Sequence, residues 1–153
     1  MEKTTFWICD KCGQKIESVK DGWVEWMTLS GVPPFEGPRC KNIRIVHRVK
    51  CIYTNEEAMR NHAISADLDL EFFSTPDGLM RLLQMISDNE FENKEDVLEI
   101  IKRIHIPGYE AARHFFEEAI YNGVFEPNTK PNYYWQRDIQ DTIEFARKNG
   151  LDA

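Results

Sequence analysis

Residues 6–16 read FWICDKCGQKI and contain the most specific pattern in this chain. Cys9 and Cys12 are separated by two residues, and Gly13 follows directly. Two thiolates at this spacing can bind one metal ion from a tight turn, and a glycine after the second relieves backbone strain where the chain folds back. The segment therefore predicts a short strand, a metal-binding turn and a returning strand.

This segment resembles the zinc-ribbon and zinc-knuckle proteins, in which aromatic and aliphatic residues lead into C-x-x-C-G and a strand resumes after it. The resemblance is local and covers residues 6–16. Proteins of this kind usually complete the site with a second close pair, whereas here Cys40 and Cys51 are separated by ten residues, with His47 between them. The resemblance implies one structural Zn²⁺.

A closed structural zinc site needs four protein ligands, and this chain offers five candidates. We place Cys9, Cys12 and Cys51 first and Cys40 next, with His47 as the alternate to Cys40. In a straight strand His47 and Cys51 would lie about 13 Å apart, which is too far for one ion. His47 can therefore join the site only if the strand ends near it and the chain turns.

Two alternatives to a metal site stay open for these cysteines. Cysteines in a reducing compartment are often plain buried side chains. A C-x-x-C pair can also be a redox pair, but that motif normally opens a helix, and residues 12–16 do not read as the start of one. Disulfides are not expected, because the N-terminal segment has no apolar signal core that would direct export.

Residues 1–74 read as strands and turns. Four β-prone runs are found, at residues 4–8, 15–19, 23–29 and 42–53. Asp21-Gly22 between the second and third runs is a hairpin-type turn signal. Residues 68–73 are either one more strand or the lead into helices. This half is predicted to be a β-rich, zinc-ribbon-like module.

Residues 75–153 read as helices with apolar residues at helical spacing. Thr75 and Pro76 form a cap followed by a proline at the first helical position. Four helices are predicted, starting after Thr75, starting after Asn93, at about 109–121 and at roughly 132–148. The sequence thus predicts an α+β protein, with a β-rich zinc module and a bundle of about four helices packed on it as one compact unit.

Composition and charge limit the classes of function. The chain has 153 residues with a formal net charge of -7, and residues 75–153 contain 9 basic and 15 acidic side chains. Such an acidic surface disfavours general affinity for nucleic acid or anionic lipid. No apolar run approaches the roughly 18 residues that cross a bilayer. We expect a cytoplasmic protein that does not enter membranes.

Two charged segments are further candidates. Residues 39–50 contain five positive charges and no acidic residue, which would suit a nucleic-acid-binding strand or a solvated face. Asp67, Asp69 and Glu71 alternate with apolar residues, and such carboxylates can hold magnesium. The same alternation is typical of an ordinary amphipathic strand, which we favour.

Aromatic residues at positions 133–135 form a dense cluster, Tyr-Tyr-Trp, at the predicted start of the last helix. Such residues dominate both cores and interface hot spots, and for this cluster we favour a place in the core, with a partner site as the second interpretation. We therefore expect a non-enzymatic, cytoplasmic, zinc-stabilised module that binds a protein partner or regulates it. The main alternative is a nucleic-acid-binding regulator using the basic segment 39–50, and a metal-dependent enzyme is third.

Overall fold

The computed structural model describes residues 3–30 and 37–151 of this chain. The chain divides into two compact units. The first unit is Thr5–His105, and the second comprises the residues after His105 together with those before Thr5.

The five strands found in the described part of the chain all lie in the first unit. They are β1 (Trp7–Ile8), β2 (Lys15–Ile16), β3 (Gly22–Leu29), β4 (Cys40–His47) and β5 (Ala63–Asp69). β1 and β2 form a two-stranded antiparallel sheet, and a separate antiparallel sheet has the order β4-β3-β5. The predicted hairpin at Asp21-Gly22 is therefore wrong. A short 3-10 helix, Val19–Asp21, separates β2 from β3, and the two strands belong to different sheets.

Seven helices are found among the described residues. They are α1 (Asn55–Arg60), α2 (Leu70–Phe73), α3 (Pro76–Ser87), α4 (Lys94–His105), α5 (Tyr109–Ala112), α6 (Phe116–Tyr121) and α7 (Gln136–Lys148). Among the described residues, helix accounts for 42% and strand for 20%, with the antiparallel sheet in the N-terminal part and helices toward the C-terminus. The predicted α+β class is confirmed.

Helix starts follow the local sequence closely. The Thr75 hydroxyl accepts a hydrogen bond of 3.1 Å from the Gly78 N–H, and Pro76 is the first residue of α3. At α1, the Thr54 side chain accepts from the Glu57 N–H, and the Glu57 carboxylate accepts from the Thr54 N–H. These bonds satisfy amide groups that a helix leaves unpaired at its first turn.

The last two predicted helices differ from the observed ones. The helix predicted over 109–121 breaks into α5 and α6, because Phe115 leaves the helical backbone conformation with φ -120° and ψ 2°. The last helix begins at Gln136 instead of near Asn132, which has a positive φ of 70°. Trp135 is extended and precedes α7, so the aromatic cluster lies before the helix.

The core of the first unit combines residues of both sheets with residues of α2, α3 and α4. Trp26 makes edge-to-face contacts with Phe73 and Phe91, at ring-centroid distances of 6.4 Å each. Leu82 of α3 and Val97 of α4 are fully buried in the same cluster. The compact unit therefore includes two helices that composition had assigned to residues 75–153. The predicted division at residue 74, and the packing of both parts as one unit, stay predictions.

The second unit has its own core, built on α5, α6 and α7. Its fully or nearly buried members are Tyr109, Ala112, Phe116, Ala119, Phe125 and Ile139. Among the helices of residues 3–30 and 37–151, none is long and apolar enough to cross a membrane.

Candidate metal centre

The first half of the site is the turn between β1 and β2. Cys9 follows the end of β1, and its N–H donates to the Gln14 carbonyl at 2.9 Å. The Gly13 N–H donates back to the Cys9 carbonyl at 3.0 Å, and Gly13 has a φ of 75°. Such a left-handed conformation is costly for residues with a Cβ. The glycine thus closes the turn and directs both Cys9 and Cys12 to its inner side.

The second half of the site is a chain reversal at the end of β4. The strand ends at His47, and the following residues form a turn in which Val49 has a φ of 65°. The Lys50 N–H donates to the Arg48 carbonyl at 2.7 Å inside this turn. Because the chain turns, Cys51 returns beside His47, and the separation calculated for a straight strand does not apply.

Together these two turns place four ligand atoms in one cluster. The Sγ atoms of Cys9, Cys12 and Cys51 and a ring nitrogen of His47 all lie within 4.8 Å of one another. His47 Nδ1 is 3.4 Å from Cys12 Sγ and 3.8 Å from Cys51 Sγ. A tetrahedral zinc ion with standard bond lengths separates its sulfur and nitrogen ligands by about 3.5 Å. The four residues therefore fit a single metal ion.

The orientation of the His47 ring is set by a backbone carbonyl. His47 Nε2 is 3.0 Å from the Lys15 carbonyl oxygen of β2. Because a carbonyl can only accept, Nε2 carries the proton and Nδ1 keeps its lone pair toward the thiols. Histidines that bind metals are commonly oriented through their other ring nitrogen in this way.

The pKa values of Cys9 and Cys51 favour one thiolate in the cluster and oppose the formation of a second. Burial raises the pKa of the Cys9 thiol, but hydrogen bonds from the Cys12, His47 and Lys11 backbone outweigh burial and lower the pKa to about 6. Burial, reinforced by the neighbouring Cys9 and Cys12 sulfurs, raises the pKa of Cys51 to about 11. A bound cation would remove this opposition and allow several thiolates at once.

An ion-paired network supports the turn from behind. Asp10 Oδ2 accepts from the Ile45 N–H of β4 at 2.8 Å and from Arg103 Nη1 of α4 at 2.7 Å. Arg103 is 3% exposed, its Nη2 donates to the Ile8 carbonyl, and its own carbonyl accepts from Trp7 Nε1. Sequence reasoning missed this pair. Its only signal was an arginine on the apolar side of α4, and nothing in the spacing linked it to Asp10.

Cys40 lies apart from the cluster. It occupies the first position of β4, is buried, and lies 3.8 Å from the Thr28 hydroxyl. Burial raises the pKa of its thiol. Of the two ligand sets left open by the sequence, the geometry therefore favours the one with His47 in place of Cys40.

The alternating carboxylates form no second metal group. Within the described residues, the cluster of three cysteines and His47 is the one grouping found that could hold a metal ion. Asp67 and Asp69 lie on β5 and Glu71 lies in α2. Asp69 accepts a 2.9 Å hydrogen bond from Trp23 Nε1, which is a structural role.

The basic segment 39–50 is not one exposed strand face. Arg44 is largely buried, donates to the Glu25 carboxylate at 2.8 Å, and stacks on the Tyr53 ring with its guanidinium 3.7 Å from the ring centroid. Arg48 lies in the turn after β4, 3.7 Å from the Asp69 carboxylate. The segment's charges are therefore divided between the protein interior and the surface.

The aromatic cluster is likewise divided. Tyr134 packs edge-to-face on Phe116 and Phe125, at centroid distances of 4.8 and 5.0 Å. Trp135, by contrast, is 75% exposed. One member thus serves the core of the second unit, and another is available at the surface.

Comparisons with protein families, with curated proteins and with solved structures find no match to this chain. The functional argument therefore rests on the chemistry of the site and of the surface.

Proposed function

We propose that this chain is a non-enzymatic protein-interaction module stabilised by one structural Zn²⁺. The observation that carries this proposal is the closeness of four ligand atoms, one each from Cys9, Cys12, His47 and Cys51. Three soft thiolates and one imidazole suit zinc better than the hard cations that carboxylates bind. A reducing, cytoplasmic compartment would keep these thiols available.

The ligand count supports a structural role over a catalytic one. Catalytic zinc sites usually keep one position open for water or substrate, whereas structural sites are closed by four protein ligands. The four residues here would fill all four coordination positions of the ion. The adjoining supports are also structural, since Lys15 orients His47 and Asp10 ties the turn to β4 and α4. A metal-dependent enzyme is accordingly less well supported.

Exposed aromatic side chains support the interaction part of the proposal. Trp135 is 75% exposed and Tyr121 is 91% exposed, both in the second unit. Tryptophan and tyrosine are enriched among the residues that carry most of the binding energy at interfaces. Such side chains bind a protein surface by burying apolar area, which does not depend on the sign of the chain's net charge.

Metal analysis tests the zinc site. Freshly purified protein should contain one zinc per chain, and Cys12→Ser and His47→Ala should each reduce its retention against a chromophoric chelator. Cys40→Ser is the control, because it removes a thiol that lies outside the cluster and is buried like those of Cys9 and Cys51, and it should retain zinc normally. Zinc well below one per chain, or loss in Cys40→Ser but not His47→Ala, would contradict the proposed ligand set.

Nucleic-acid binding is the alternative that a specific feature favours. A cavity of about 350 Å³ beside His47 is lined by Lys15, Arg48 and Lys50, although Glu17 and Asp21 line it as well. Fluorescence anisotropy with labelled duplex DNA, single-stranded DNA and RNA should show weak binding with a shallow salt dependence, because few phosphate contacts are available. Submicromolar binding that is abolished by changing Arg48 and Lys50 to glutamate would promote the alternative. Arg44 is left unchanged because it is paired with Glu25.

A further inference from the structure

Strand β5 forms one edge of the three-stranded sheet. The strand order is β4-β3-β5, and β5 pairs with β3 along its whole length, from Ala63 to Asp69. An edge strand of seven residues offers a row of backbone groups to an added strand. The identity of those groups follows from the alternation of hydrogen bonds along β3.

Backbone groups of successive β3 residues point to opposite neighbours. The Leu29 N–H donates to the Arg39 carbonyl on the β4 side, whereas the Ser30 N–H donates to the His62 carbonyl just before β5. The backbone N–H and C=O groups of even-numbered β3 residues therefore point toward β5. The β5 residues that pair with them are also even-numbered. The odd-numbered residues of β5 aim their N–H and C=O groups outward, namely Ala63, Ser65, Asp67 and Asp69.

The middle of this edge is open. Neither Ser65 nor Asp67 has a backbone hydrogen bond to any other segment within residues 3–30 and 37–151. Both side chains are exposed. An incoming strand could pair with these two residues without displacing a backbone bond to any of the described residues.

The two faces beside the open edge have different chemistry. On one face, Ile64 is 64% exposed and Leu68 is 42% exposed, although both are apolar. On the other face, Asp67 presents its carboxylate to solvent, and no basic residue occurs in β5. A strand laid along this edge would meet apolar side chains on one face and negative charge on the other.

We propose that the β5 edge binds an extended segment of a partner protein in which apolar and basic side chains alternate. The apolar side chains would cover Ile64 and Leu68, the basic ones would lie beside Asp67, and backbone bonds to Ser65 and Asp67 would set the register. A second copy of this chain fits less well, because β5 carries no basic side chain that could lie beside Asp67. This inference deepens the proposed interaction function and does not depend on the metal.

The probe is a short fluorescent peptide of alternating valine and lysine, measured by anisotropy against the zinc-loaded chain of 153 residues. Its control is a peptide of the same composition with all valines first and all lysines last. Only the alternating peptide can present one apolar and one basic face as a strand. It should bind at least ~10-fold more tightly than the block peptide, as expected if backbone pairing and both faces contribute.

Two variants separate backbone pairing from charge. Ser65→Pro removes one outward N–H and no charge, and proline is tolerated at such edge positions because that N–H makes no bond inside the sheet. It should weaken the peptide about 10-fold or more. Asp67→Asn keeps the backbone and should weaken the peptide only about two- to fivefold.

The outcomes are distinct. Loss of binding in Ser65→Pro, together with slowed amide exchange at Ser65 and Asp67 on peptide addition, supports the inference. If the alternating peptide binds Ser65→Pro as tightly as the unsubstituted chain, or if the block peptide binds as tightly as the alternating one, charge attraction alone explains the binding. Either result overturns the inference. If the peptide does not bind, the acidic residues only protect the edge from unwanted pairing. If the chain forms a dimer that the peptide cannot dissociate, the occupant of the edge is a second copy. Either result overturns the inference.

Measuring the zinc content and thermal midpoint of each sample distinguishes a failure of the β5 inference from a failure of the proposed function. A folded, zinc-loaded chain that ignores the peptide rejects the β5 edge alone. A chain without zinc rejects the proposed metal centre, whatever the peptide does.

Discussion

The β1–β2 hairpin of the first unit and the helical second unit are stabilised in different ways. The two strands of the hairpin have only two residues each, and such a hairpin is not stable alone in water. Its turn is tied to the rest of the unit by the Asp10–Arg103 ion pair, and a metal ion held by the four-residue cluster would add a second tie. The second unit relies on aromatic packing, with Phe116 in edge-to-face contact with both Phe125 and Tyr134.

This difference illustrates two ways of stabilising a small unit, by a metal ion as proposed for the first unit and by an aromatic core as in the second. In the proposed metal centre, a few ligands would add long-range ties to the packing that Trp7 and Ile16 already contribute in the core of the first unit. Aromatic rings hold consecutive helices together, because each ring buries a large area within a short stretch of chain. The two units should therefore respond to different perturbations, and the following experiments test that contrast.

Removal of the metal should have the largest effect. Binding of structural zinc contributes about 10–16 kcal/mol in small zinc domains, which is comparable to the whole stability of a typical domain. Chelation, or Cys9→Ser, should collapse the amide resonances of Thr5–His105 in a two-dimensional NMR spectrum. Resonances of α5 to α7 should stay dispersed. Equal loss in both regions would break the comparison.

Truncation in the aromatic core should produce the converse result. Phe116 is 2% exposed, and Phe116→Ala should lower the free energy of unfolding of the second unit by about 3–5 kcal/mol. Urea unfolding followed by NMR measures this loss, while zinc content should stay unchanged. Tyr121→Ala is the control, because that side chain is exposed and its removal should cost less than about 0.5 kcal/mol. Loss of zinc in Phe116→Ala would contradict the separation.

Asp10→Asn should have an intermediate effect confined to the first unit. It keeps the size of the side chain but leaves the buried Arg103 guanidinium without its carboxylate. We expect a loss of about 2 kcal/mol in unfolding free energy, together with faster zinc release, because the turn loses its tie to α4. Glu17→Gln makes the same chemical change at an exposed site. A similar loss there would mean that net charge, and not the Arg103 contact, is responsible.

The smallest effect should come from pH at the start of α1. Hydrogen bonding from the Thr54 N–H, followed by the Lys11 ammonium, lowers the pKa of the Glu57 carboxyl below its usual value. The carboxylate form is thus favoured by folding, so its contribution is present above the unfolded pKa of about 4.3 and is lost as pH falls through the lower folded value. The thermal midpoint of the chain should exceed that of Glu57→Gln at about pH 6, and the difference should shrink toward about pH 4. A difference that grows on acidification would contradict this assignment.

The cysteine turn illustrates how far local sequence carries a prediction. The spacing of Cys9, Cys12 and Gly13 predicts a strand, a tight turn and a strand, and β1 and β2 flank that turn as expected. Helix α3 shows the same, since Thr75 and Pro76 mark its start. These features depend on residues within one turn of each other, so their physics is contained in the local sequence.

The choice between His47 and Cys40 could not be made in this way. The alternation of residues 42–53 predicts one long strand, which would separate His47 from Cys51. The chain instead turns after His47 through a left-handed Val49, a conformation that a β-branched residue rarely adopts. Only the packing of β4 against the β1–β2 turn could favour it.

The sequence by itself determined the α+β class, the cysteine turn between β1 and β2, the helix caps and the acidic character of the chain. Each follows from periodicity, composition or contacts between near neighbours. The tertiary structure alone decided that His47 completes the cluster, that Arg103 meets Asp10 across 93 positions, and that β5 is an edge. These are pairings between distant segments, and they are selected by the free energy of burying the whole unit at once, which no local pattern records.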